Sequence, residues 1–269
     1  MTGFTVKKFF YDLWDNFFGV MILNFGFLLS LSLAFVLPPL VPAAEFPWAL
    51  ILFGLLIYWL FLYLCTAALL LREVSDYRRV SLSGLGSRLK NALAPAALLC
   101  AALALILFVL RFTVPAYLAL GGVAGLGAAF FSCWFCLFLA AAIQFYPAVY
   151  GRLGARPLKC LKKCALFFLD NTGFCLFALA LNAVMIIPVI PCPGLPLLFL
   201  DEALRLRLLK YDWLEEQRRG GGPESGEGSG AVRPGRRGRT VIPWEALLAE
   251  EKEKTGTRSL RSFIFPWKD

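Results

Sequence analysis

The chain contains no histidine. That absence removes the side chain whose ordinary pKa lies nearest neutrality. With it go the usual general acid–base group, Ser-His and Cys-His nucleophile pairs, and the commonest metal ligand. Charge is also scarce. Only 17% of the 269 residues are charged and 59% are hydrophobic, against roughly 25% and about 45–50% in soluble domains. So large an apolar excess does not fit inside one buried core, which excludes an ordinary soluble enzyme. No glycine-rich stretch follows a strand or runs into Lys-Ser/Thr, so a phosphate-cradling loop is missing. No soluble basic face is left over for nucleic acid. The reading at this level is a non-enzymatic membrane protein that needs no cofactor or metal and binds no nucleic acid.

What is present is a set of long apolar runs separated by short basic clusters, with a formal charge of +9. About 20 apolar helical residues cross the hydrocarbon core. Phe17 to Pro42, Phe46 to Leu71 and Ala92 to Leu110 meet that length. Between Arg111 and Arg152 no charged residue occurs, about 60 Å if helical throughout. Charge decides how many spans this run holds. Lys7, Lys8, Arg72, Arg78, Arg79, Arg88, Lys90, Arg152, Arg156, Lys159, Lys162 and Lys163 are twelve basic residues in segments that share one side, against Arg111 on the other. The positive-inside rule places the twelve in the cytoplasm. The run then holds one span, near Leu126 to Tyr150, with a Pro- and Gly-rich lead-in (Pro115, Gly121, Gly122, Gly125) at the outer surface or partly re-entering the bilayer. A fifth span runs from about Thr172 to Ile190. A short tilted sixth helix over Leu197–Leu209 would return the tail to the cytoplasm. The first span is too long for a signal peptide and is preceded by Asp12 and Asp15 rather than a basic region.

Two segments echo each other. Lys7-Lys8 through Asp15-Asn16 and Lys162-Lys163 through Asp170-Asn171 both read Lys-Lys, a mostly apolar stretch, Asp-Asn, then a transmembrane run. Arg88-Leu89-Lys90-Asn91 is a weaker version in between. The pattern predicts amphipathic helices in the cytoplasmic interface, with Lys7, Lys8, Lys159, Lys162 and Lys163 among headgroups. Asp15-Asn16 and Asp170-Asn171 should then break each helix and cap the span that follows. The expected fold is an all-α polytopic transmembrane helix bundle of three helical hairpins, five to six spans in all. The bundle covers 1–217 (hairpin units 1–71, 72–150 and 151–217), followed by a flexible basic Gly-rich linker, 218–240, and a cytoplasmic tail, 241–269.

With the hairpins placed, Gln144-Phe145-Tyr146-Pro147-Ala148, the basic stretch Gly154 to Lys163 and Phe168-Leu169-Asp170-Asn171 come into view together. They resemble the Gln-x-Tyr-Phe-Pro-Leu segment, amphipathic helix and Asn-started span of YesL-like bacterial membrane proteins. Thr66-Ala67-Ala68 through Arg72-Glu73-Val74 to Ser81-Leu82, and the Phe-rich start before Asn24, resemble the same family. The likeness covers roughly residues 5–210 and rests on spacing and topology. It implies a bacterial inner (plasma) membrane protein of five or six spans with no catalytic residues to carry over, and the basic clusters put its N- and C-termini in the cytoplasm. Such proteins are often encoded near carbohydrate uptake systems, which implies an accessory role. The long charged tail and the Ala- and Cys-rich spans depart from the family pattern.

Few residues point to chemistry. Cys133-Trp134-Phe135-Cys136 is a CxxC within the fourth span, where low dielectric keeps thiols protonated and small packing residues are the plainer reading. Cys160 and Cys164, on one face of the basic helix, read as zinc ligands, acylation sites or packing. Gly121-x-x-x-Gly125 reads as a close helix approach or as a loop. Asp201, Glu202 and Arg205 are the candidate intramembrane polar residues, spaced for ion pairs on one helix face or for a transport site. In the tail, Ile242-Pro243-Trp244 is echoed by Phe265-Pro266-Trp267. Trp244, Phe265 and Trp267 are therefore candidate docking residues, toward a partner or the membrane surface. The partners expected are the lipid bilayer and either membrane transporter subunits or a cytoplasmic protein reached through the tail. Two functions stay open: a non-catalytic accessory or regulator of a transport system, and a small-solute transporter or channel with a site between the hairpin repeats.

Overall fold

The computed structural model describes residues 2–41, 46–78, 85–154, 156–186, 192–220 and 242–255. Among them the chain is all-α, with no strand. It forms two compact units, Asp12–Asp201 and a smaller one made of Met1–Tyr11 with Glu202–Asp269. The C-terminal residues Phe265 and Trp267 and the linker lie outside the described residues.

The larger unit begins where α1 (Thr2–Asp15) gives way to α2 (Phe17–Val36) and α3 (Phe46–Ser75). These two pack as a hairpin: Phe27, Ala34 and Leu60 form a buried cluster, and Tyr63 Oη donates to the Leu23 carbonyl at 2.7 Å. The other side of α3 takes α4 (Leu85–Phe108), through Leu62, Cys65, Ala92 and Ala96. The small residues let the backbones approach closely. Pro95 lies inside α4 without ending it. A π turn, Val109–Thr113, then leads into α5 (Val114–Leu120). The Pro- and Gly-rich lead-in is thus helical up to Leu120, where the sequence had suggested a surface segment or a re-entrant one. Pro115 falls in the first turn of α5, where its missing N–H is tolerated, and the wider π turn before it absorbs the register change.

Gly121 (φ 65°) and Gly122 (φ 67°) reverse the chain in the left-handed region that residues with a Cβ avoid. α6 (Gly122–Ile143) returns along α5 so closely that a Cβ on Gly125 would sit 2.5 Å from the Tyr117 carbonyl. The two glycines of that GxxxG therefore do different things: Gly121 makes the turn and Gly125 the contact. A bend at Gln144–Phe145 leads into α7 (Tyr146–Leu153), and the pair makes one continuous apolar run.

Among the described residues, four helical segments are long and apolar enough to cross a membrane: Phe17–Leu40, Pro47–Ser75, Leu85–Leu120 and Gly122–Leu153. Only 17–28% of the residues in their apolar windows are buried, so most of this apolar surface faces outward. Phe18 and Val123, 80% and 89% exposed, are examples. Such a surface needs lipid, and the chain is a multi-pass membrane protein.

α8 (Pro157–Asp170) and α9 (Thr172–Ile186) pass the same test only as a pair, bent by 105°. The echo seen in the sequence has a matching geometry. α1 and α8 are each 14 residues long, and one Asn separates each from the next helix, with φ −117° and ψ 22° at Asn16 and φ −132° and ψ 36° at Asn171. The hinge chemistry differs from the expected cap. Asn16 makes no side-chain bond to the start of α2; its Nδ2 donates backward to the Asp12 carbonyl at 3.1 Å. Asn171 Nδ2 likewise donates to the Phe167 carbonyl at 3.2 Å. An amide N–H₂ suits the last turn of a helix, where carbonyls lack partners. Asp15 and Asp170 are exposed beside these hinges. The weak third copy forms no hinge, because α4 runs unbroken through Asn91 into buried Ala92.

α10 (Gly194–Gly220) replaces the short sixth span expected over Leu197–Leu209. It is a single long helix and not one of the segments apolar enough to cross, because Asp201, Glu202, Arg205, Arg207 and Lys210 interrupt its apolar run. The smaller unit consists of the start of α1, α10 from Glu202, and the short helices α11 (Trp244–Leu247) and α12 (Ala249–Thr255).

The start of α10 meets α2 through a contact that only glycine allows. The Gly194 N–H donates to Asn24 Oδ1 at 2.8 Å, and a Cβ there would lie 2.7 Å from that oxygen and 3.1 Å from Val20 Cγ1. Gly194→Val is expected to destabilise the protein by about 1–3 kcal/mol, the usual range for overpacking. Thermal unfolding in detergent measures it, and adding Asn24→Ala should recover part of the loss by opening space.

Candidate functional site

The polar residues of the larger unit converge where α3, α7 and α10 meet. Each comes from the end of an apolar run: Ser75 closes α3, Asp76 follows it, Arg152 is in the last turn of α7, and Asp201 ends the apolar start of α10. Arg152 Nε donates to Asp201 Oδ1 at 3.0 Å, and its Nη2 reaches Asp201 Oδ2, giving a two-point guanidinium–carboxylate pair. Arg152 Nη1 also bonds Asp76 Oδ1 at 3.1 Å. The Ser75 hydroxyl also donates to Asp201 Oδ2, and Asp201 is 2% exposed. Burial pushes the Asp201 carboxyl above the ordinary carboxylate range, while the Arg152 guanidinium and the Ser75 hydroxyl pull it down. Shared between three helix ends, the arrangement acts as a clamp.

Beside it a cavity of about 520 Å³ is lined by Arg72, Glu73, Asp76, Arg78, Arg88, Asn91 and Tyr150, among others. Its carboxylates are already held: Glu73 by Arg88, and Asp76 by Arg152. Arg72 donates to the Gly151 carbonyl, and the Tyr150 hydroxyl to the Asn91 carbonyl at 2.9 Å. With its charges so matched, the cleft offers no free base or nucleophile.

A second polar pair lies deeper. Gln144, at the bend between α6 and α7, donates through Nε2 to the Cys175 carbonyl at 2.8 Å and accepts from Asn182 Nδ2 at 3.0 Å. Asn182 is buried, and its Oδ1 has no hydrogen-bond partner among the described residues. Neither amide stood among the candidate residues read from the sequence. The available signal was that Gln144 and Asn182 are the lone amides in their apolar runs. Arg152 and Asp76 were likewise passed over, Arg152 as one orientation charge among twelve.

The smaller unit has its own buried pairs. Lys8 Nζ lies 2.6 Å from Glu202 Oε2, with both side chains fully buried. Lys8 is thus an internal cation rather than a headgroup lysine, which its apolar neighbours on the sequence concealed. Arg205 Nη2 reaches Glu251 of α12 at 2.8 Å, and Leu248, Glu251 and Thr255 are buried on one face of the tail helices. Asp201, Glu202 and Arg205, spaced for pairs along one helix, all have a partner far away in sequence. The described part of the tail docks through Leu248 and Glu251, with Trp244 only half-buried.

The remaining candidates fall on surfaces. Lys7 is half-buried, its Nζ 5.8 Å from the centre of the Tyr11 ring. Lys159, Lys162 and Lys163 are exposed along α8, interleaved with exposed Leu158, Leu166 and Leu169, while Cys160, Cys164, Phe167 and Phe168 face inward. That is the expected division for a helix lying at a membrane surface. It also turns both thiols away from reagents. All eight cysteines are free, and among the described residues no cluster of three or more His, Cys, Asp or Glu could hold a metal ion.

No family model, curated protein or solved structure matches this chain.

The Lys8–Glu202 pair makes a direct prediction. Glu202→Leu leaves a buried ammonium without its carboxylate and is expected to cost about 3–5 kcal/mol, whereas the Lys8→Met/Glu202→Leu double variant costs far less. Unfolding of the purified protein in detergent measures both.

Proposed function

We propose that the protein is a non-catalytic accessory or regulatory component of a membrane transport system, set in a bacterial inner membrane with its N- and C-termini in the cytoplasm. The observation that carries this reading is how the buried polar groups are used. Arg152 holds Asp201, Lys8 meets Glu202, and Gln144 bonds Asn182. Charges and amides inside a membrane protein mark a pathway when they face a cavity or one another across it. Here they tie one helix to another. The cleft beside Arg152 lies at the same end as the basic residues rather than at mid-membrane.

The orientation rests on the positive-inside rule, since the exposed Lys159, Lys162 and Lys163 line α8 beside the ends of α3 and α7. The resemblance to YesL-like proteins supports the inner membrane and points to carbohydrate uptake as the system served. Contacts with such a system would run through the surfaces of α8 and the tail.

A small-solute transporter has one observation on its side, the unpartnered Asn182 Oδ1 in the bundle interior. The two readings separate in reconstitution. The purified chain alone in liposomes is expected to move no sugar or other small solute, and to cross-link to transporter subunits in native membranes. Flux by the chain alone, lost in Asn182→Leu, would replace the accessory reading with the transporter.

A further inference from the structure

Over its described residues α9 is apolar but short. Its 15 residues reach about 22 Å, against roughly 30 Å of hydrocarbon. It does not continue α8 but leaves it at 105° through the Asn171 hinge. α8 carries the exposed lysines, so α9 turns from the surface plane into the bundle interior, where Gln144 bonds both the Cys175 carbonyl and Asn182.

The return is located by two contacts. Asp201 is tied to Ser75 and Arg152, at the ends of α3 and α7 that share a face with α8. Gly194 is tied to Asn24, about 10 Å along α2 from its start at Phe17. Gly194 and Asp201 are themselves about 10 Å apart along α10. The start of α10 therefore runs from shallow depth back to the basic face. From Asn24 to Val36, α2 extends about 18 Å further toward the other face. The close fit of Gly194 against Asn24 Oδ1 and Val20 holds that depth.

We infer that α8, α9 and the start of α10 form a re-entrant unit that enters and leaves through one leaflet. α8 lies in the headgroup plane of that leaflet, and α9 with the first turns of α10 dips into the bundle without crossing. The surface it offers to lipid is the α8 face, where exposed Leu158, Leu166 and Leu169 insert beside Lys159, Lys162 and Lys163. This fits a leaflet with anionic headgroups. Four full crossings then leave the start of α10 on the face of α8, and no sixth span is required. The inference concerns topology alone and stands whether the chain assists a transporter or is one.

The test is side-specific thiol labelling of the full chain in sealed vesicles of both orientations, using a membrane-impermeant maleimide. The parent is a variant with every cysteine but Cys192 replaced. The native cysteine is then removed and Leu120→Cys, Lys159→Cys and Glu216→Cys are introduced singly. Re-entry predicts that Lys159→Cys and Glu216→Cys label from one side, that Leu120→Cys labels from the other, and that Cys192 never labels from the Leu120 side. Two outcomes overturn it. Glu216→Cys labelling from the Leu120 side means one crossing, and Cys192 labelling from that side means two. Should the cysteine-depleted parent fail to fold, tags inserted after Lys159 and Glu216 in the natural chain, read by protease protection, test the single crossing. A third tag after Cys192 tests the double crossing.

Discussion

The guanidinium of Arg152 cannot be buried alone. Removing one ion of a buried pair costs about 3–5 kcal/mol, because the survivor keeps its desolvation penalty and loses its partner. Much of the larger unit is arranged around that constraint. Asp201 supplies the two-point partner, Ser75 occupies the second face of one carboxylate oxygen, and Asp76 takes the remaining Nη1. These residues come from three helices far apart in sequence, so satisfying one cation fixes where α3 and α7 end and where α10 begins. Seven residues before Asp201 on the same helix, Gly194 is fixed in turn against Asn24.

The same rule explains why the protein tolerates so many polar atoms in an apolar setting. Lys8 with Glu202 and Gln144 with Asn182 repeat it. A group paired in this way is unavailable for proton transfer or for a solute. What remains free faces outward: the lysines and leucines of α8 and the apolar flanks of the spans. These are surfaces for lipid and neighbouring proteins.

Much of this architecture was legible in the sequence. Crossing helices follow from run length, and the two-faced α8 follows from lysines set among leucines and phenylalanines at helical spacing. Partner choice was not legible, because spacing along one helix cannot announce a partner elsewhere in the chain. Asp201 and Arg205 have suitable i,i+4 geometry, yet Arg152 and Glu251 bind them. Pro115 misled for a related reason: proline is forbidden by an intact i→i−4 ladder, and a π turn changes the ladder. At Asn16 and Asn171 the break itself was readable, but not which way the amide turns, since Asn can cap the helix behind as well as the one ahead. Lys8 looked like a surface lysine because its equivalent in the echo, Lys163, has the same sequence neighbourhood and is exposed.

The most direct test of the clamp is a double-mutant cycle on Arg152 and Asp201, with folding stability of Arg152→Ala, Asp201→Ala and the double variant measured in detergent or lipid nanodiscs. A shared buried pair predicts single losses of about 3–5 kcal/mol each and a double loss well below their sum, so that the coupling itself amounts to several kcal/mol. Additive losses with coupling near zero would mean that the two residues act independently, and would contradict the account built on their contact.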